Sequence, residues 1–236
     1  MTIQGIIKEN QLKTCPFVLA LVPRVGQANV RTGIFMVPKG ITIHNTGNNM
    51  PTATALAHAK WLVSVEEAER DYIGAHFFVD DHQIVQVLPI NEVAWHAGDG
   101  QGLGNMTTIA IEICEVGDVL QAEANALLLI GYLKKHLGDL PIYKHQDWTG
   151  KYCPRVLLAT GRWKSFEERA IKMTYEDKES SKEGNTPSLW AREAVAWAIK
   201  GDLFDQESKL HTPVTREVLA VILWRFEKRL KDELHA

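Results

Sequence analysis

The segment KHQDWTGKYCP carries His145 and Cys153, eight residues apart. An imidazole nitrogen and a thiolate are both good zinc ligands. Trp148, Thr149 and Gly150 between them can fold the two side chains back to one point. Lys151 stands two residues before Cys153, and extended backbone sets positions two apart on one side, with an ammonium beside that point. A surface loop with an incidental cysteine is the alternative reading of these residues. His44 ends the apolar run Gly40 to Ile43, shares a face with Thr42, and leads into the turn Asn45-Thr46-Gly47-Asn48. A histidine leaving a rigid strand is well placed to hold a metal. His44, His145 and Cys153 supply three ligands, and three protein ligands plus a water make an open, catalytic zinc site. Glu112 is an acid inside the apolar run Thr108 to Cys114. A carboxylate there is costly unless it lines a polar cavity or pairs with a charge. It is either a general base beside an activated water or half of a buried ion pair, for example with Lys151.

These side chains need elements to bring them together. The pattern predicts a buried strand over 40–43 into His44. A helix follows over Thr52 to Ser64, with Thr52 or Thr54 as cap and Leu56, Ala59, Lys60 and Val63 on one stripe. Ala75 to Val79 and Gln83 to Leu88 read as a hairpin turning at Asp80-Asp81. Gly98, Gly100, Gly102 and Gly104 mark 98–105 as a loop, and no phosphate-loop lysine follows. In the strand Thr108 to Cys114, Ile109, Ile111 and Ile113 face one way and Ala110, Glu112 and Cys114 the other. Leu120 to Leu137 reads as a long helix ending near Gly138. Tyr143 to Trp148 reads as a strand end or loop, and Pro154 to about Lys172 as a helical region.

The 236 residues, 45% hydrophobic and 23% charged, allow one ordinary domain and a small second one. A net charge of −3 disfavours a nucleic-acid binder or an anionic-membrane binder. Three cysteines, Cys15, Cys114 and Cys153, are too few and too odd for a disulfide scaffold. No apolar run is long enough to span a membrane, and the N-terminus shows no signal peptide, so synthesis in the cytoplasm without a standard export signal is expected. The stretch TYEDKESSKEGNTP has no aliphatic residue and reads as a charged linker. The expected organisation is therefore a domain at 1–173, a linker at 174–187 and a helical module at 188–236. In that module Trp190, Ala194 and Trp197 share one helix face, and Leu219, Ile222, Phe226 and Leu230 share another.

Taken in order, KGITIHNTGN, AWHAGDG, TIAIEICE and KHQDWTGKYCP resemble the zinc-dependent N-acetylmuramoyl-L-alanine amidases of the amidase-2 type, over about residues 23 to 165. That group includes phage endolysins and autolysins of Gram-positive type and shares its fold with peptidoglycan-recognition proteins. The resemblance implies an α/β fold: a mixed central β-sheet flanked by helices, with a groove across the zinc. It matches His44, His145 and Cys153 to zinc ligands, Glu112 to the catalytic glutamate, and Lys151 to the lysine facing the substrate oxyanion. It sets Asn45, Trp95, His96 and Gly98 along the groove as substrate contacts, with groove structure as the other reading of His96. Some members carry a tyrosine just before the histidine matching His76. This chain has Ala75 there, which leaves Glu112 as the base. The implied substrate is peptidoglycan, cut between the lactyl group of N-acetylmuramic acid and L-alanine, with lysis of the wall after release of the enzyme.

The remaining candidates carry less. His76 is expected to hydrogen-bond within the sheet, and His58, His82, His136, His211 and His235 to be structural or solvated. Cys114 is expected to be buried, and Cys15 has no partner motif. The C-terminal helix pair, about 187 to 230, resembles one S-layer-homology-like unit, which implies wall targeting or a homo-oligomer. Two other functions on the same fold are a non-catalytic peptidoglycan-binding module and a protein-binding regulator. A zinc peptidase would call for an HExxH-type helix, which the sequence lacks.

Overall fold

A computed structural model describes residues 15–25, 30–68 and 73–173. The charged linker, the C-terminal helix pair, His211 and His235 lie outside these residues, and so do wall targeting and the homo-oligomer expected of that module.

Six strands form one mixed sheet in the order β1-β4-β3-β5-β2-β6. They are β1 Phe17–Leu19, β2 Gly40–Asn45, β3 Phe77–Val79, β4 Ile84–Gln86, β5 Thr108–Ile113 and β6 Ile142–Lys144. β2 runs parallel to both β5 and β6, and β3 parallel to β5, while β3 and β4 form the expected antiparallel hairpin. Strands covered on both faces need apolar residues at nearly every position. All six residues of β2 are buried, and β5 is buried except for Glu112, which is partly exposed.

Alternation sorts the two faces. Ile41, Ile43, Ile109, Ile111 and Ile113 join the core beneath α3 (Val119–Leu137) and α6 (Trp163–Lys172). Ala110, Cys114, Phe78 and Val85 join a second core beneath α1 (Ala55–Glu67). Thr42, His44 and Glu112 project from that second face, because they alternate with the isoleucines. The parallel register pairs His44 directly with Glu112. The division of the β5 side chains is as the sequence predicts.

Several expectations are corrected. The first helix starts at Ala55, because the Thr54 side chain accepts the Ala57 N–H and caps it. Ala55 N–H also binds Asp80 Oδ2, which ties the helix to the hairpin turn. Its buried stripe is Ala55, Ala59, Leu62, Val65 and Glu66, and Lys60 is exposed. Glu66 is buried here because it accepts the N–H groups of Val25, Val30 and Arg31. The glycine-rich stretch is a loop only as far as Gly102, and Leu103–Thr107 forms a short helix, α2. Asp99 caps it by accepting the Gly104 and Asn105 N–H groups. The region after Pro154 is two helices, α5 (Arg155–Ala159) and α6, because Gly161 takes a left-handed φ of 69° between them. A short helix, α4 (Gln146–Thr149), follows β6. No helix among the described residues is long and apolar enough to cross a membrane.

Candidate metal centre and active site

In open α/β sheets, sites form beyond the carboxyl ends of parallel strands. Three such ends meet here. His44 is the fifth residue of β2, Glu112 is the fifth of β5, and His145 directly follows β6. Cys153 joins them from the segment between α4 and α5. Gln146 N–H donates to the Cys153 carbonyl, which closes that segment into a compact loop. The turn that sequence reasoning invoked to fold Cys153 back onto His145 is therefore α4 with Gly150 in a left-handed conformation at its end.

His44 Nδ1 lies 3.0 Å from His145 Nδ1 and 3.8 Å from Cys153 Sγ. One ligand atom from each of the three residues lies within 4.8 Å of the others, and all three residues are buried. Burial, then the neighbouring rings of His96 and His145 and the Lys151 charge, hold His44 well below its usual range and therefore neutral. Burial also lowers His145, with help from Lys151. Burial raises the Cys153 thiol to about 11, with the Glu112 carboxylate acting in the same direction. Two neutral imidazoles and one thiol, closely packed out of water, are a donor set suited to zinc, which displaces the thiol proton.

Glu112 Oε1 is 3.9 Å from His44 Nδ1, and Glu112 makes no ion pair with Lys151. The buried-pair reading of this acid is therefore set aside. Burial raises its carboxyl to about 7, against the opposing pull of Lys151 and with a smaller push from Glu115. Glu112 Oε2 and Thr46 Oγ1 are the buried side-chain oxygens left without a hydrogen-bond partner among the described residues. Both sit at the carboxyl ends of β2 and β5. Thr46 was read from sequence only as part of a turn, and nothing in its type marks it out. Lys151 is exposed, and its charge acts on His44, Glu112, His145 and Cys153.

The four residues expected to line the groove divide differently. Asn45 is buried and both ends of its amide are engaged. Nδ2 donates to the Ile113 carbonyl at 3.3 Å, and Oδ1 accepts the Val156 N–H at 3.0 Å. It joins β2 to β5 and to the first turn of α5. His96 is also turned inward: its Nδ1 lies 3.0 Å from His44 Nε2, and its Nε2 faces Thr108 Oγ1 at 3.5 Å. Its place is behind a ligand, as part of the groove's structure. Trp95 is half-buried and packs against the core under α3. Gly98 stays beside the site. A Cβ there would lie 3.7 Å from His145 Nε2, and its φ is 73°.

His76 is held within the sheet as expected. Its Nδ1 accepts the Ala110 N–H at 2.9 Å, and its Nε2 donates to the Glu92 carbonyl at 2.8 Å. Cys114 is buried, with its nearest polar contact His58 Nδ1 at 4.0 Å. Cys15 is buried as well.

The N-acetylmuramoyl-L-alanine amidase (Amidase_2) family profile matches residues 35–156, which is half of the chain and includes every side chain just placed at the centre. The chain belongs to this family. It is 46% identical to the N-acetylmuramoyl-L-alanine amidase XlyA of Bacillus subtilis over 144 residues, 59% of this chain and 46% of that one. It is 42% identical to the amidase CwlH of the same organism, over 67% of this chain and 63% of that one. The chain thus spans less than two thirds of either full-length relative. Among solved structures, the catalytic domain of XlyA aligns with a TM-score of 0.59 at 44% identity, covering 66% of this chain and 98% of that domain. The mixed sheet with helices on both faces is therefore the fold of this family's catalytic domains, as the resemblance implied.

Proposed function

We propose that this protein is a zinc-dependent peptidoglycan hydrolase that cleaves the amide between the lactyl group of N-acetylmuramic acid and L-alanine. The observation that carries the reading is the convergence of His44, His145 and Cys153 on one point, with Glu112 beside His44. Identity to amidases across the same residues supports it.

His44, His145 and Cys153 would hold the metal. When bound, zinc supplies a Lewis acid for the amide carbonyl and an acidified water at neutral pH. Glu112 takes a proton from the attacking water through the oxygen that no protein group occupies, then delivers it to the departing L-alanine nitrogen. The elevated carboxyl suits both halves of that transfer. Lys151 offsets the negative charge that develops on the carbonyl oxygen. Cys153 would serve as a ligand and not a nucleophile, because a bound metal would occupy its thiolate. Gly98, with no side chain, keeps the substrate's approach to His145 open. The endolysin and autolysin resemblance adds action on the bacterial wall after release.

Zinc content and wall hydrolysis of three variants test the assignment. Cys153→Ser and His145→Ala lose both metal and activity. Glu112→Gln keeps the metal and loses about 10²- to 10⁴-fold in rate. Mass spectrometry of digested peptidoglycan should show new L-alanine amines and free lactyl carboxyls. Cleaved sugars, or an active Glu112→Gln enzyme, would overturn the reading.

A further inference from the structure

His96 and Asn105 make no contact with the proposed metal point, yet both lie one layer behind it. Proton bookkeeping shows what they do. Thr108 Oγ1 sits 2.6 Å from the Gly104 carbonyl, which can only accept, so the Thr108 hydroxyl donates its single proton there. Thr42 Oγ1 accepts the Trp148 indole N–H at 3.0 Å and therefore gives its own proton to Thr108 Oγ1 at 2.7 Å. Thr108 Oγ1 has no proton left, so it can only accept from His96 Nε2. His96 is consequently the Nε2–H tautomer, and its bare Nδ1 accepts a proton from His44 Nε2. That leaves His44 Nδ1 bare, facing His145 Nδ1 and Cys153 Sγ.

His96 and Ala97 share one anchor. Asn105 Oδ1 accepts both of their backbone N–H groups at 2.7 Å, and its Nδ2 donates to the Gly100 carbonyl at 2.9 Å. All three bonds require one orientation of the amide.

We propose that His96, fixed by Asn105, is a positioning group that locks His44 in the Nε2–H tautomer with Nδ1 free for the metal. Outer partners of ligand histidines set tautomer and ring orientation, and their loss typically costs about 10- to 100-fold in metal affinity. The partner of His44 is another histidine and not the usual carboxylate or carbonyl, so its own tautomer must also be fixed, which the Trp148-Thr42-Thr108 chain does. The proposal rests on the metal site described above.

Two measurements on the full chain test it separately from that site. In the chelator-stripped protein, two-bond ¹⁵N–¹H correlations of the imidazoles should show Nε2–H for His44 and His96. An Nδ1–H pattern at His44 or His96 overturns the proposal whether or not zinc binds. Zinc affinity, measured by competition with a chromogenic chelator, is then compared in His96→Asn and His96→Leu. These side chains are nearly equal in size, but only Asn keeps an acceptor where Nδ1 stood. His96→Leu should bind zinc about 10- to 100-fold more weakly, with His96→Asn recovering most of the loss. Equal losses in both would assign His96 to packing alone and overturn the proposal. Asn105→Ala should weaken zinc in the same range, whereas Glu123→Gln, which breaks the distant Arg162 ion pair, should lower the melting temperature without changing zinc affinity. If wild type itself binds no zinc, the proposed function fails while the tautomer pattern still decides this inference.

Discussion

At the scale of single residues, chemistry that stays local was legible and chemistry that works through the backbone was not. His145, Lys151 and Cys153 sit within nine residues, so spacing alone brings them near one another. Glu112 stood out because a carboxylate contradicts its apolar strand. The resemblance set Asn45 along the groove, whereas its amide reaches across the fold to Ile113 and Val156, which type and spacing do not reveal. Asn105 was missed for the converse reason: its partners lie eight and nine residues earlier, across a loop whose path composition does not reveal. Lys151 remains the residue whose role is easiest to isolate. It is exposed and belongs to no ion pair among the described residues, so removing its charge should leave the fold and the ligands intact. Lys151→Met should therefore keep full zinc content and lose about 10²- to 10³-fold in kcat, with KM little changed. A variant that lost zinc or melted early would show that Lys151 acts on the site's integrity and not on the reaction.

At the scale of elements, strands were read more accurately than loops. A strand buried on both faces announces itself by β-branched residues, as in GITIHN and TIAIEI. The hairpin was marked by Asp80-Asp81. The short helix Leu103–Thr107 was hidden inside a glycine run, where low helix propensity argues against it. It forms because Asp99 caps it and because its glycine is a packing requirement. A Cβ on Gly104 would come within 2.6 Å of Ala97 Cβ and 2.9 Å of Trp148 Cδ2. Neither is the end of a flexible chain, so the loop carrying His96 would have to shift. Gly104→Ala should destabilise the protein by about 1–3 kcal/mol. Gly100→Ala meets nothing within 4 Å and pays only for its φ of 61°, about 1–2 kcal/mol. Paired urea titrations of the two variants measure this difference. A fully stable Gly104→Ala would show that α2 is free to move away from Ala97, contrary to the tight packing of the two.

At the scale of the whole molecule, the sheet stores several neutral histidines in its interior, and that sets a limit on the acid side. His76 is fully buried with a donor on one nitrogen and an acceptor on the other. Protonating Nδ1 would set two N–H groups against each other, because Ala110 N–H already points there. Burial lowers its pKa from 6.5 to about 4, despite the opposing Glu92 carbonyl and charge. A histidine depressed on folding binds fewer protons in the native state than in the unfolded one across this interval. Its contribution is thus complete above pH 6.5 and is lost as pH falls toward 4. At about 1.4 kcal/mol per unit, His76 alone accounts for roughly 3 kcal/mol over that window. His96, lowered to about 3 chiefly by burial and by His76, acts in the same direction. Urea unfolding between pH 7 and 4, in excess EDTA so that metal release does not contribute, should show this loss. His76→Gln keeps a donor for the Glu92 carbonyl but takes up no proton. It should be less stable than wild type at pH 7 and lose less on acidification, so the two curves converge toward pH 4. Parallel curves would mean that His76 is already charged in the folded protein, which its bond from Ala110 forbids.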